Sequence, residues 1–482
     1  MRFLALLAIL LTAQAPPPPS SDARIAWGFD RSDLPPDPRI RFGVLANGMR
    51  YAIQPNSTPA RGVAIRMLVR VGAADGAPAE AHYLEHMAFM GSGRVHEGAR
   101  ERLRRREHLR LGRDFNARTG DTDTYYSLDL PRPGGNQVRR ILLLLRDMAG
   151  NLTLAPDAVE RARGEIVAEA RQRSGGEDAR ERDQIAFFVP GTRIARTTLT
   201  GSEAEAGAVG VEGLRRLYET YYAPGRTTLI VVGAVDPSAI EATISATFSD
   251  WPARQAPPSP PPDRIDPERP TAFRAFTAPG SAAWATIASI SPRAAADATA
   301  PRDLGFLQSL AADMLAARVT GHRGDDRPFM DAEAVVGDYY RTARIARFSI
   351  HAFDGDWRTA LAVAEQELRC ALRNGFTEDE LAIAREREVE RLAAFAGPET
   401  SAAIADRLTQ MAGLGIVPTV PGTAADNAVY LARIRLDDLD AAFRAAWSAP
   451  GRLVHVADSR AIEGGEAELA RVWAAGAPCP AQ

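Results

Sequence analysis

The chain has 482 residues, 45% of them hydrophobic and 25% charged, with a formal net charge of −3. That length suits two to four ordinary domains, and so small a charge excludes a global field drawing the protein onto nucleic acid or anionic lipid. All 58 basic residues are arginine, which removes Schiff-base chemistry and a phosphate-loop lysine from the available functions.

The first fifteen residues read as an export signal: Arg2, an apolar run over 3–11, then Ala13-Gln14-Ala15 as a small-x-small cleavage site. The run is too short for a membrane span, and no other stretch reaches roughly 18 apolar residues. The protein is therefore expected to be exported, periplasmic or secreted, without a membrane span. Residues 16–37, rich in Pro, Ser and Asp, read as a flexible leader. A hairpin follows, with Phe42, Val44 and Leu45 before Asn47-Gly48 and Met49, Tyr51 and Ile53 after it. Val63, Ile65, Met67 and Val69 alternate as in a half-buried strand. Further strands are expected at 124–130 and 227–235, and helices at 79–90, 137–151, 157–173 and 211–222. The second block carries strands at 286–291 and 345–352 and helices at 303–318, 357–373 and 377–395. Asn374-Gly375 stops one of these helices, and Thr377 with Glu380 forms a capping box for the next.

Residues 251–270, rich in proline, are the best boundary. They separate a first domain, 38–250, from a second, 271–482. Strands mixed with long helices, without strict alternation, argue for an α+β fold. The helices 157–173 and 377–395 share a layout, which two copies of one unit or a chance match of amphipathic helices would equally give. Cys370 and Cys479 are the only cysteines. Two cannot build a structural zinc site, so any metal must draw on His and carboxylate ligands. In an exported protein the two could pair.

The chemistry is carried by His82-Tyr-Leu-Glu85-His86. On a helix, residues four apart share a face, so both imidazoles can point at one metal with the Glu85 carboxylate beside them. A zinc ion with three protein ligands keeps a position for water and lowers its pKa, and a neighbouring carboxylate can take the proton as the water attacks a carbonyl. This pattern is the inverse of the common His-Glu-x-x-His zinc motif.

Several stretches resemble the family of pitrilysin, insulysin and the mitochondrial processing peptidases, in its half-length bacterial, metal-bearing type. Leu45-Ala-Asn47-Gly48 is similar to its opening hairpin, and Ala81 to Gly91 to its active-site helix. Asn116-Ala117-Arg-Thr119 with Thr124-Tyr-Tyr126 resembles the strand that binds substrate backbone, and Glu160-Arg161 to Glu169 the helix with the third ligand. Tyr222-Ala-Pro224-Gly-Arg226 and Val232-Gly233 resemble the close of the first domain. In the second block Gly375-Phe-Thr377-Glu-Asp-Glu380-Leu381 is the best match.

The resemblance implies two similar domains, each a mainly antiparallel sheet flanked by helices, together forming one half of a clamshell. It implies a zinc metalloendopeptidase holding one Zn2+ per chain through His82, His86 and Glu169. Glu85 would be the base, and Asn116 and Ala117 would bind peptide substrate. Manganese or cobalt would suit the same ligands. Glu165 and Glu160 compete with Glu169 on the same helix. Family members carry another acid seven positions before the third ligand, where this chain has Ala162. Glu165 is then a candidate to support the ligands in its place.

The stretch 98–113 is strongly basic. It reads as a solvated helix with Ala99, Leu103 and Leu109 packed inward, or as a positive rim favouring acidic peptides. His96 and His108 lack a partner at i±4 and are not expected to be ligands. Between Arg318 and Arg341 no Arg and Tyr stand six residues apart, the spacing relatives use to hold the oxyanion. Tyr339, Tyr340 and Arg341 are adjacent instead. The oxyanion donors are therefore expected from a second chain of similar fold, a heterodimer rather than a homodimer. The alternative reading is a non-catalytic binding or assembly subunit.

Overall fold

The computed structural model describes residues 17–173, 175–254, 263–293, 297–321, 329–394 and 397–479. The expected export signal, 1–15, and residues 255–262 of the expected linker lie outside the described residues.

Six strands build the first sheet: β1 (Arg41–Val44), β2 (Arg50–Pro55), β3 (Val63–Val69), β4 (Phe115–Thr119), β5 (Thr124–Leu130) and β6 (Thr227–Gly233). Their order is β1-β2-β6-β3-β5-β4, and β2 with β6 is the parallel pair. The opening hairpin turns at Gly48, whose φ of 89° suits glycine. Asn47 Nδ2 donates to Phe248 O and Trp251 O, tying that turn to the end of the helix Pro237–Phe248.

The first half carries α1 (Ser21–Trp27), α2 (Glu80–Met87), α3 (Ala99–Arg105), α4 (Gln137–Gly150), α5 (Pro156–Gln172) and α6 (Gly176–Phe188). One sheet face, with Tyr51, Ile65, Met67, Tyr126 and Val231, packs with Leu84, Leu145 and Ile166 of α2, α4 and α5 in the largest core cluster.

The other face corrects two expectations. Residues 17–37 are not a flexible leader in the structure. They form α1, capped by Ser20, and the rings of Trp27 and Phe29 each lie 5.0 Å from that of Phe42. A polar composition concealed this aromatic anchor. The strand β3 is not half-buried either: all seven of its residues are buried. The helix Ser401–Leu414, from the second half, covers its other face, with Ile404, Ala405 and Leu408 packed on Ala64 and Leu68. Arg66, 1% exposed, is kept charged there by Asp129 at 2.8 Å and Asp406 at 2.6 Å.

The second sheet comprises β7 (Ala272–Thr277), β8 (Ala283–Ser291), β9 (Phe329–Tyr339), β10 (Ala343–Ala352) and β11 (Leu453–Asp458), ordered β7-β11-β8-β10-β9. Its one parallel pair, β7 with β11, occupies the place of β2 with β6. The sheets thus repeat one topology, which decides between the two readings of the shared helix layout, and the fold is α+β with two sheets flanked by helices. In the second copy the connection equivalent to α2 is the helix Thr299–Thr320, which contains no histidine.

The halves also exchange cover. While Ser401–Leu414 lies on the first sheet, Phe188, Val189 and Ile194 pack with Ala288, Ile290, Ile345 and Leu453 of the second. Asp183 of α6 reinforces this by binding Arg274 and the fully buried His455, whose Nε2 lies 3.1 Å from Asp183 Oδ2. Cys370 and Cys479 are joined in a disulfide across a sequence separation of 109. No helix among the described residues is long and apolar enough to cross a membrane.

Candidate metal centre

The helix α2 presents two faces. Ala81, Leu84 and Met87 enter the core, and Tyr83 is fixed by donating from its hydroxyl to Ala206 O at 2.9 Å. His82, Glu85 and His86 occupy the opposite face and line a cavity of about 1040 Å3. The imidazoles stand 4.8 Å apart between centroids, nearly perpendicular. The helix α5 packs beside α2 by burying Val159, Ala162, Ile166 and Ala170. This spacing turns Glu165 and Glu169 toward the histidines.

Donor atoms of His82, His86 and Glu169 all lie within 4.8 Å of one another. Glu169 Oε2 is 3.3 Å from His82 Nε2, and Glu169 Oε1 is 3.8 Å from His86 Nε2. Ligands about 2.0–2.1 Å from a tetrahedral zinc sit about 3.4 Å apart, so these atoms need move only by tenths of an ångström, apart from the widest pair, to hold one ion. Burial, aided by the neighbouring His86 and Arg173, lowers the His82 imidazole to a pKa of about 3. It is therefore neutral at pH 7, the form that binds metal.

Burial raises the Glu85 carboxyl, opposed by a hydrogen bond from Thr119 and the charge of His86. Thr119 Oγ1 donates to Glu85 Oε2 at 2.7 Å, which fixes the carboxylate on the cavity wall. Thr119 ends β4, an outer strand whose far side carries only the Leu111–Phe115 bridge among the described residues. On that strand Asn116 is exposed, and the Ala117 N–H donates to Asn116 Oδ1 at 2.9 Å.

The competing acids separate by position. Glu160 is exposed and paired with Arg163. Glu165 Oε2 lies 3.6 Å from His86 Nδ1, on the side away from Glu169. Ala162 is fully buried in the core, and His82 Nδ1 has no hydrogen-bond partner among the described residues. Glu165→Ala is expected to weaken zinc binding about tenfold, read by competition with a chelating dye, because its carboxylate is the one acid behind a ligand ring. An unchanged affinity would leave Glu165 a surface residue.

His96 and His108 are exposed and outside the cluster. The basic stretch packs Ala99, Leu103 and Leu109 inward, as expected. Its arginines are largely spent on neighbours: Arg102 pairs with Glu97, and Arg104 and Arg105 with Glu101. Arg100 alone of this helix lines the cavity.

Four further groups around the cavity carried no role in the sequence. Thr119 was visible only as the end of the Asn116 motif. Glu181, on α6, and Asp121, after β4, face the same space, and burial with the charge of Glu181 pushes Asp121 up to about 6. Tyr340 arrives from the second sheet, and no local sequence signal announces that long-range approach.

Comparison with known proteins agrees with this architecture. A family model described as Insulinase (Peptidase family M16) matches residues 51–185, and one described as Peptidase M16 inactive domain matches residues 208–319. The chain is 28% identical over 226 residues to "Probable zinc protease PqqL" of Escherichia coli, a match covering 46% of this chain and 24% of that protein. It is 30% identical over 230 residues to the chloroplastic stromal processing peptidase of Oryza sativa, covering 46% of this chain and 18% of that one. The matched stretch is thus less than a quarter of either relative. Among solved structures, the periplasmic protease PqqL from Escherichia coli superposes with a TM-score of 0.81 at 19% identity, over 93% of this chain and 52% of that one. The first half of the same protease alone gives 0.80 at 19% identity, covering 93% of this chain and 100% of that one. These likenesses establish the fold.

Proposed function

The chain belongs to the insulinase family of peptidases, and from that premise we propose that it is the metal-bearing half of an exported zinc metalloendopeptidase acting on peptides or unfolded segments. The observation carrying this reading is the convergence of His82, His86 and Glu169 beside a half-buried carboxylate, Glu85, inside a large cavity. When bound, zinc would supply Lewis acidity, polarising the scissile carbonyl and making water a nucleophile near neutral pH.

The chain's own residues do the rest. A substrate in extended conformation adds to the open side of β4, where the Ala117 N–H exchanges Asn116 Oδ1 for a substrate carbonyl. Glu85, held at Oε2 by Thr119, accepts the proton of the attacking water on its other oxygen and passes it to the leaving amine nitrogen. The cavity walls of α2, β4 and α6 position the peptide and exclude bulk water.

Export is supported by the Cys370–Cys479 disulfide, which persists in oxidising compartments, and by the periplasmic location printed for the PqqL structure. A partner chain of similar fold is supported by the length relation: this chain matches one half of a protease of twice the span. A heterodimer is the form we propose, with the oxyanion donors on the partner. Purified protein is expected to carry one zinc per chain by elemental analysis and to cleave unfolded casein, alone or with its partner. A metal-free chain that binds no added zinc would instead favour a non-catalytic subunit.

A further inference from the structure

Tyr340 reaches the metal-bearing cavity through an unusual stretch of backbone. It and Arg341 are the central residues of the turn between β9 and β10, closed by the Thr342 N–H donating to Tyr339 O at 3.0 Å. Their φ angles are 51° and 55°, in the left-handed region that hairpin turns normally reserve for Gly, Asn or Asp. Contacts on both sides hold the turn. The Arg341 N–H donates to Asp338 Oδ2 at 2.8 Å, and its guanidinium donates to Gly413 O at the end of the helix Ser401–Leu414. Such conformations persist where surroundings enforce them, and they concentrate at binding sites.

The result is that a side chain of the second sheet enters the cavity of the first. The Tyr340 hydroxyl donates to Glu181 Oε1 at 2.7 Å. Its single hydrogen is thereby committed, and an oxygen lone pair remains as acceptor. Tyr340, Glu181 and Asp121, which lies in the turn that continues β4, line one cavity together with Asn116, Ala117 and Thr119, so the hydroxyl shares that space with the strand.

We propose that Tyr340 is a substrate-binding residue, whose hydroxyl, oriented by Glu181, accepts an N–H from a peptide lying along β4. The assignment rests on the peptidase reading above and deepens it: the second half of this chain then binds substrate directly as well as supporting the fold.

The test uses the zinc-loaded, full-length chain carrying Glu85→Gln, so that binding is read without turnover, and fluorescein-labelled unfolded casein as probe. Adding Tyr340→Phe is expected to raise Kd about fivefold, the worth of one neutral hydrogen bond, with melting temperature and zinc content unchanged. Adding Tyr340→Gly is expected to weaken binding at least as much while melting at or above the parent, because glycine accepts this backbone without strain. An unchanged Kd in Tyr340→Phe would assign the hydroxyl to bracing α6 alone and overturn the proposal. A fall in melting temperature in both variants, in step with the weaker binding, would overturn it equally. Failure of the parent itself to bind casein would instead sink the peptidase reading on which this one stands.

Discussion

Glu85→Gln is expected to lower peptide hydrolysis by about 10³-fold or more while leaving the zinc content at one per chain. The substitution keeps shape and size, and the amide oxygen can still accept the Thr119 hydrogen bond that now reaches Glu85 Oε2 at 2.7 Å. It removes only the ability to take a proton. General-base groups contribute roughly 10²- to 10⁴-fold, and the two other acids against the histidines are committed elsewhere: Glu169 faces both histidine rings, and Glu165 lies behind His86. The measurement is the initial rate on unfolded casein at matched zinc occupancy, with and without the partner chain. A variant as fast as the parent removes Glu85 from the proton-transfer role, and a variant that loses zinc shows that the carboxylate serves the metal instead.

The local signals of this site were legible because helical spacing is a strong constraint. His82, Glu85 and His86 need only an α-helix to share a face, and Leu84 and Met87 fix which face that is. The choice of Glu169 over Glu160 also follows from α5, since burying Val159, Ala162, Ile166 and Ala170 leaves Glu160 in solvent. What the sequence could not reveal lies in contacts between distant segments. The alternation of β3 suggested one wet face, because Arg66 looks like a surface residue until Asp406, 340 positions later, is brought against it. Strand β9 carries Asp331, Glu333 and Asp338, and no strand was expected there, although it is the outer strand of the second sheet. The helix α6 is crowded with acids and arginines as far as Asp183, so its role as a shared wall between the cavity and the second sheet emerges only with His455 and Arg274 beside Asp183. The exchange of covering segments explains these misreadings together: each sheet borrows part of its cover from the other half, and a borrowed contact leaves no periodicity in either strand.

Glu169→Gln is expected to cost more zinc affinity than the roughly 10- to 100-fold typical of losing a residue behind a ligand, and activity should fall with it. The reasoning is electrostatic. His82, lowered to a pKa of about 3, would bind through a neutral ring nitrogen, so the charge that offsets the ion comes from a carboxylate. Glu169 supplies a full negative charge 3.3 Å from one ring nitrogen and 3.8 Å from another, while Glu85 stands nearby and feels its repulsion. Replacing that charge with an amide preserves the packing of α5 but removes the strongest term drawing a divalent cation inward. Without metal, the variant should melt no lower than the parent, because the repulsion between Glu169 and Glu85 is gone. With excess zinc it should gain less in melting temperature than the parent does, since a ligand stabilises only in proportion to how tightly it binds the folded state. Glu160→Gln, on the same helix but exposed and paired with Arg163, is the matched control and should bind zinc as the parent does. Titration with zinc followed by calorimetry separates these cases. A Glu169→Gln chain with parental affinity would mean that Glu165 had supplied the third ligand, and the ligand assignment would move one turn along α5.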